Sequence, residues 1–395
     1  MNIYVYEDDK ALDLGPLSNN RATFDIRIGS ETFLDRIKML FSEHTISLFV
    51  RDELEALTKE KHSGLKVNPK EIDEGLWLLG NVIWDKSDFK ILPDSETLFY
   101  NNNNLIGAFL SKTSGNDWIK SRSATPKVED QTVKESNHCP YLWDILSQIG
   151  HTLSSEFEKF ENHFKPSIYN GVEFINPENI FVGDNVLIQP TVLINAENGP
   201  IIIESDVTIF GQTYLEGPLY IGKNSLVKPL TQIKNSAFGP MCKIGGEINT
   251  VIIQGYSNKV HEGHLGDSFL GEWVNLGSGT QNSNLKINYS SVKVEINNKN
   301  IETNKIHIGS FIGDHTKTAI GTKLNSGSVI GLGSMIATDG FPPKLVNPFT
   351  WYINGEKRKV ILDKFFKTAY HSMIRRNKTL SDLERALLEK LHNKI

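Results

Sequence analysis

The chain has 395 residues, a net charge of −5 and two cysteines, Cys139 and Cys242. That length allows two or three domains, and the acidic balance excludes a broad basic face for nucleic acid. No run of eighteen apolar residues is present, so no membrane-spanning helix is expected. Two distant cysteines fit a reducing cytoplasm and carry no zinc spacing.

The first residues are apolar and then acidic, which reads as a buried first strand and not as a signal peptide. Residues 1–110 alternate strand-like runs at 3–6, 46–50 and 76–83 with a helical pattern around 33–41, predicting a small α/β domain. Residues 111–140 are polar and poor in aliphatics, and are expected to be a linker or surface loop. Residues 141–164 carry Tyr141, Leu142, Ile145, Ile149, Leu153, Phe157 and Phe160 at helical spacing, a helix that packs one domain on the other.

From about 165 to 345 the period changes. Ile203, Ile209, Leu215, Ile221, Val227 and Ile233 stand six apart, and Ile306, Ile312, Thr318, Leu324, Ile330 and Ile336 repeat the spacing. Period six is neither helical nor that of a simple alternating strand. It marks a coil that repeats a short strand and a corner, a parallel β-helix. Three steps close a triangular turn of about eighteen residues, stacked on the next at about 4.8 Å. Gly follows many inward residues, as in Ile221-Gly222, Ile244-Gly245 and Ile312-Gly313, where corners demand positive φ or close backbone contact. Residues 281–305, rich in Asn, Lys and Ser, break the period and are expected to leave the coil as an excursion. Loops thrown from a solenoid often build its binding site. Residues 346–395 form a helical tail, in which Ser381 and Glu384 make a capping box.

One stretch concentrates chemistry. It runs Val260-His261-Glu262-Gly263-His264-Leu265-Gly266-Asp267, then Asn275-Leu276-Gly277-Ser278-Gly279-Thr280, then Asn288-Tyr289 on the excursion. It resembles the hexapeptide acyltransferase domain of the GlmU-like family, bifunctional enzymes that acetylate glucosamine 1-phosphate and then uridylylate it. Ile312-Gly313-Asp314 and Gly340-Phe341-Pro342-Pro343-Lys344 continue the likeness. It is nearest to the sugar nucleotidyltransferase branch with a shortened front domain. The resemblance implies a left-handed coil, a homotrimer with the site between copies, acetyl-CoA as donor and a sugar phosphate as acceptor. An amine or hydroxyl attacking a thioester must lose a proton, and a histidine titrates near neutrality. By resemblance His261 is that base. His264, where the family usually has Tyr, would help hold the sugar phosphate, with Asn275, Asn288, Tyr289 and either Lys286 or Lys293. Asp314 and Lys344 would contact coenzyme A. The family's basic contacts ahead of the His are missing, since position 249 is Asn.

The front domain lacks the family's Gly-x-Gly-Thr-Arg-Met loop. Pro16-Leu17-Ser18 resembles the Pro-Leu-Thr that follows that loop, and Arg21, Asp25 and Arg27 resemble the signature of the shortened branch. Two arginines can clamp phosphate; they can equally form a structural ion cluster. The domain is expected to be a degenerate nucleotidyltransferase, needing Mg²⁺ only if it is active. A metal site made of His261, His264, His307 and His315 is not expected. The expectation is a cytoplasmic acyltransferase. The alternatives are uridylyl or thymidylyl transfer in the front domain, or a non-catalytic trimeric scaffold.

Overall fold

A computed structural model describes residues 1–120, 125–160 and 165–395. The front domain is built on a seven-stranded sheet. Its strands run, in spatial order, Lys66–Val67, Thr45–Phe49, Asn2–Tyr6, Gly75–Leu79, Asn104–Leu110, Thr97–Asn101 and Gln131–Val133. The first four are mutually parallel, and the strand Asn104–Leu110 turns the sheet antiparallel. Asn2–Tyr6 is central, and Ile3 and Val5 are fully buried, as an apolar run covered on both faces requires. The helix Phe33–Leu40 starts at a capping box, with the Thr32 hydroxyl accepting from the Asp35 amide and Asp35 accepting from the Thr32 amide.

The segment expected to be a linker belongs to this domain. Helix Lys112–Ile119 brings Trp118 edge-on to Tyr6 and Trp77, and Gln131–Val133 closes the sheet edge beside Thr97–Asn101. One buried tryptophan anchors a stretch whose average composition is polar. Residues 121–124 of that segment lie outside the described residues. The connecting helix is two short ones, Leu142–Leu146 and Ile149–Phe157, and its expected end at 161–164 is not among the described residues.

The rest is the β-helix, with three inward stacks. Ile203, Ile221, Phe238, Ile253, Leu270, Ile312, Ile330 and Val346 pair in sequence on one face. Ile194, Leu215, Ile233, Ile248 and Leu265 stack on another. The third reads Ile188, Ile209, Val227, Ile244 and then Lys259. The coil runs past its expected end at 345, since Thr350–Ile353 still pairs with Met335–Ala337. Its glycines answer to close approach more than to positive φ: a Cβ on Gly245 would stand 2.1 Å from the Val260 carbonyl oxygen. The left-handed corners fall on other residues, among them Asn185, Asp206, Asn224, Met241, Tyr256, Trp273 and His315 in successive turns.

The front domain covers one side of the prism. Ile202, Tyr220, Ala237, Ile252, Phe269 and Phe311 point outward from the coil and join the front domain's own hydrophobic core. The excursion also folds back. Val292, Val294 and Ile296 of its hairpin enter the same core, and Asn297 bonds Asp13 at 2.8 Å. Beyond the coil, helices Leu362–Met373 and Asp382–Asn393 pack Phe365, Phe366 and Leu388 against Leu332 and Phe349. The Ser381–Glu384 capping box forms as expected.

Candidate functional site

His261 occupies the corner that leads from the third face to the face of Ile248 and Leu265, and it is exposed. Its carbonyl oxygen accepts from the Lys259 ammonium at 2.6 Å, so a lysine buried in the stack pins the corner from inside. Strand His264–Glu272 follows at once. Its first residue lies in register with Glu247 one coil below, and His264 Nδ1 stands 3.3 Å from Glu247 Oε1. At the next corner Asp267 accepts from Asn284 Nδ2 at 2.6 Å. Burial raises the Asp267 carboxyl above its usual range, against the Asn284 bond and the neighbouring His307 and His264. Imidazole, carboxylate and amide groups therefore line the outer edge from His261 to Asp267.

The other expected residues are spread more widely. Asn275 is on the third face, where its Oδ1 accepts from Asn258 Nδ2 at 3.1 Å. Asn288 and Tyr289 form the tip of the excursion; Asn288 Oδ1 accepts from the Ser290 amide and hydroxyl, and Tyr289 is 71 % exposed. Lys293 faces Glu302 across the hairpin at 3.7 Å. Lys286 bonds Ser290 and Ser291, and its charge joins desolvation in lowering the pKa of Lys344. Those two lysines are neighbours.

The front-domain trio and Asp314 do not do what the resemblance implied. Asp314 is 2 % exposed, accepts from Arg21, from Asn20 at 2.9 Å and from the Glu272 amide at 2.9 Å, and is closed to coenzyme A. Burial opposes the Arg21 charge, yet Asp314 and Glu272 raise its pKa. Arg27 donates to Gly29 and Ser30 carbonyls and to Gln254 O on the coil. Gln254 completes the clasp, accepting from the Arg27 amide at 3.0 Å and donating to Asp25 O at 2.9 Å. Burial alone would raise the Asp25 carboxyl, but Lys61 and His62 hold it well below the usual range. These residues dock the front domain on the coil.

A cleft of about 300 Å³ remains between front domain, coil and last helix. Asp25, Glu60, Glu272, Asp314 and Glu384 line it, against the cations Arg21 and Lys61. Burial pushes the His315 imidazole down to about 3, so it adds no charge there. Burial, with Glu272, Glu60 and Asp314 nearby, raises the Glu384 carboxyl. This lining repels a triphosphate. Among the described residues no three His, Cys, Asp or Glu side chains converge on a metal position, and Asp25 and Asp314 are committed to cations, so Mg²⁺ finds no ready array.

The sequence reading passed over Lys259, Glu247 and the pair Asp267–Asn284. Lys259 carried a signal: it falls at the inward slot fifteen residues beyond Ile244. The Glu247 contact depends on inter-coil register, which the one-residue slips in the period conceal.

Residues 3–164 match the family model of sugar nucleotidyl transferases. A bifunctional sugar-1-phosphate nucleotidylyltransferase/acetyltransferase from Sulfurisphaera tokodaii is 36% identical over 171 residues, 41% of this chain and 40% of that one. Bifunctional protein GlmU of Carboxydothermus hydrogenoformans is 26% identical over 205 residues, 43% of this chain and 40% of the relative. GlmU of Acholeplasma laidlawii is 24% identical over 295 residues, 68% of this chain and 57% of the relative. A transferase-type front domain thus sits on a β-helix. In these stretches the chain is similar to bifunctional GlmU-type proteins. The chain spans about two fifths of the length of the first two relatives.

Proposed function

We propose that this protein transfers an acetyl group from acetyl-CoA to an amino-sugar phosphate or a related sugar-nucleotide precursor, with His261 as general base. The observation that carries the reading is the corner itself. An exposed imidazole stands on a rigid coil, its backbone held by Lys259, three residues ahead of a second histidine seated beside a carboxylate. A neutral His261 takes the proton that the attacking amine loses, a contribution of roughly 10²–10⁴ in rate. His264, braced by Glu247, and Asn275 orient the acceptor. Acetyl-CoA supplies the activated thioester; Lys286 and Lys344 would meet its phosphates, and Asp314 has no part in holding it. In this reading the groove forms between copies in a homotrimer, as the family resemblance implies, and the exposure of His261 is in keeping with it.

The test is coenzyme A release with a panel of amino-sugar phosphates. His261→Ala should lower turnover at least 10²-fold with an unchanged melting temperature; undiminished turnover removes His261 from the mechanism. A second reading is nucleotidyl transfer in the front domain. The family match over residues 3–164 favours it, while the acidic lining of the cleft and the committed arginines weigh against it. Pyrophosphate release from nucleoside triphosphate, Mg²⁺ and sugar 1-phosphate would establish it; none at any concentration would eliminate it.

A further inference from the structure

The third face of the coil carries a cleft that the proposed reaction touches only at its edge, through Asn275, and whose cations neither reading uses. It measures about 200 Å³ and lies between the outward residues Asn258, Trp273 and Lys317 and the end of the tail helix, where Arg375 and Arg376 come down. No carboxylate lines it. Lys243 occupies the same outward register as Asn258, one coil below. In a chain of net charge −5, four cations meet here. None of Lys243, Lys317, Arg375 and Arg376 forms an ion pair among the described residues.

The cations are held in place from behind. Arg376 Nη2 donates to Asn258 Oδ1 at 3.0 Å, and Asn258 passes the bond on to Asn275. The Lys317 ammonium donates to the Trp273 carbonyl oxygen. Trp273 is itself fixed, stacked on Tyr256 with centroids 4.5 Å apart, and both rings sit on left-handed backbone. Arg376 therefore spends one of five donors, and no acceptor among the described residues takes the others. Desolvation, then Arg376, Arg375 and Lys228, lower the Lys243 pKa, and desolvation and Arg375 lower that of Arg376. Like charges crowded in a half-buried cleft destabilise the fold until an anion joins them. A guanidinium presents paired donors that match the oxygens of a phosphate, and an ammonium adds a compact charge.

We propose that this cleft is a phosphate-binding site, in which Arg375 and Arg376 of the tail and Lys243 and Lys317 of the coil hold a phosphate monoester or diphosphate. The tail thereby becomes part of a binding site and not only a cover for the coil's end. The site meets the acidic front cleft only at Trp273, which lines both, and uses neither Lys286 nor Lys344 of the excursion side. It does not depend on acetyl transfer. The phosphate can come from a sugar phosphate or from coenzyme A.

Calorimetric titration of the full chain at low salt tests it, with inorganic phosphate, glucosamine 1-phosphate and coenzyme A as separate probes. At least one probe should bind, with affinity that falls as salt rises. The double variant Arg375→Ala/Arg376→Ala should bind that probe at least tenfold more weakly, and Lys243→Ala should weaken it as well. A preference for coenzyme A assigns the cofactor's phosphates; a preference for the sugar assigns the acceptor's. Without ligand the double variant should melt no lower than the parent, because it sheds repulsion. Phosphate should raise the melting temperature of the parent alone. No binding of any probe to the parent, or equal affinity in parent and double variant, overturns the site. Binding is read without turnover, so its failure and the failure of acetyl transfer are separate results.

Discussion

Lys259 sits where every coil below it places an aliphatic side chain, and it is 2 % exposed. Its ammonium bonds the carbonyl oxygens of Gly245 at 2.9 Å and His261 at 2.6 Å, and burial still pushes its pKa down to about 8 despite Glu262 nearby. An unfolded lysine titrates near 10.4. Between about pH 8 and that value the unfolded chain keeps a proton that the folded chain has released. Stability therefore rises with pH across that window, by a ceiling of about 3 kcal/mol for this group. Buried Tyr220 and Cys242, raised to about 12, act in the opposite sense, but equally in parent and variant. Urea unfolding of the parent and of Lys259→Met at pH 7.5 and pH 10.5 isolates the lysine. The difference should move toward the parent by about 2–3 kcal/mol as pH rises. A pH-independent difference would show that the ammonium is not desolvated. The period-six pattern makes the inward slot legible; what the slot's occupant reaches is not, because that depends on the corner carbonyls of two coils.

At the scale of elements, the join between front domain and coil is the part least visible in the sequence. The parallel β-helix could be read from the spacing of its aliphatics, and the capping box from Ser381 and Glu384. Arg21, Asp25 and Arg27 looked like phosphate ligands because nothing local tells a clamp from a clasp. The partners that decide, Gln254 and Asp314, are more than two hundred residues away. The segment 111–140 differs from a linker for a similar reason: composition averages over a segment, whereas docking turns on a few positions, Trp118, Cys139 and the strand pairings of 131–133 and 137–138. Arg21 and Asp314 are both nearly dry, so removing one leaves the other charged and short of its nearest counter-ion, with Glu272 at 3.6 Å the remaining partner of Arg21, at up to about 3–5 kcal/mol. Asp314→Ala and Arg21→Ala should each lower stability by about that much, and the double variant by clearly less than the sum. Hydrogen exchange should rise first in residues 20–27 and 254–255. Strict additivity in the cycle, with unchanged exchange there, would mean that the pair does not fasten the two domains.

At the scale of the molecule, the front domain closes one side of the prism and the tail partly shields another. The proposed threefold assembly would have to use what is left. The excursion marks the place: its hairpin is anchored on the chain's own core, but its tip projects, with Ile287 fully exposed and Tyr289 71 % exposed. Burying an isoleucine of this kind contributes roughly 1.5–3 kcal/mol per copy, and a threefold assembly repeats each contact three times. Sedimentation should therefore report three copies of the 44.4 kDa chain. Ile287→Asp puts a charge into that contact and should shift the protein toward monomers and lower acetyl transfer in step, with the melting curve of the isolated chain unaltered. Monomers that turn over at the full rate would place the whole reaction on one chain, and His261 would then need a partner surface from its own tail.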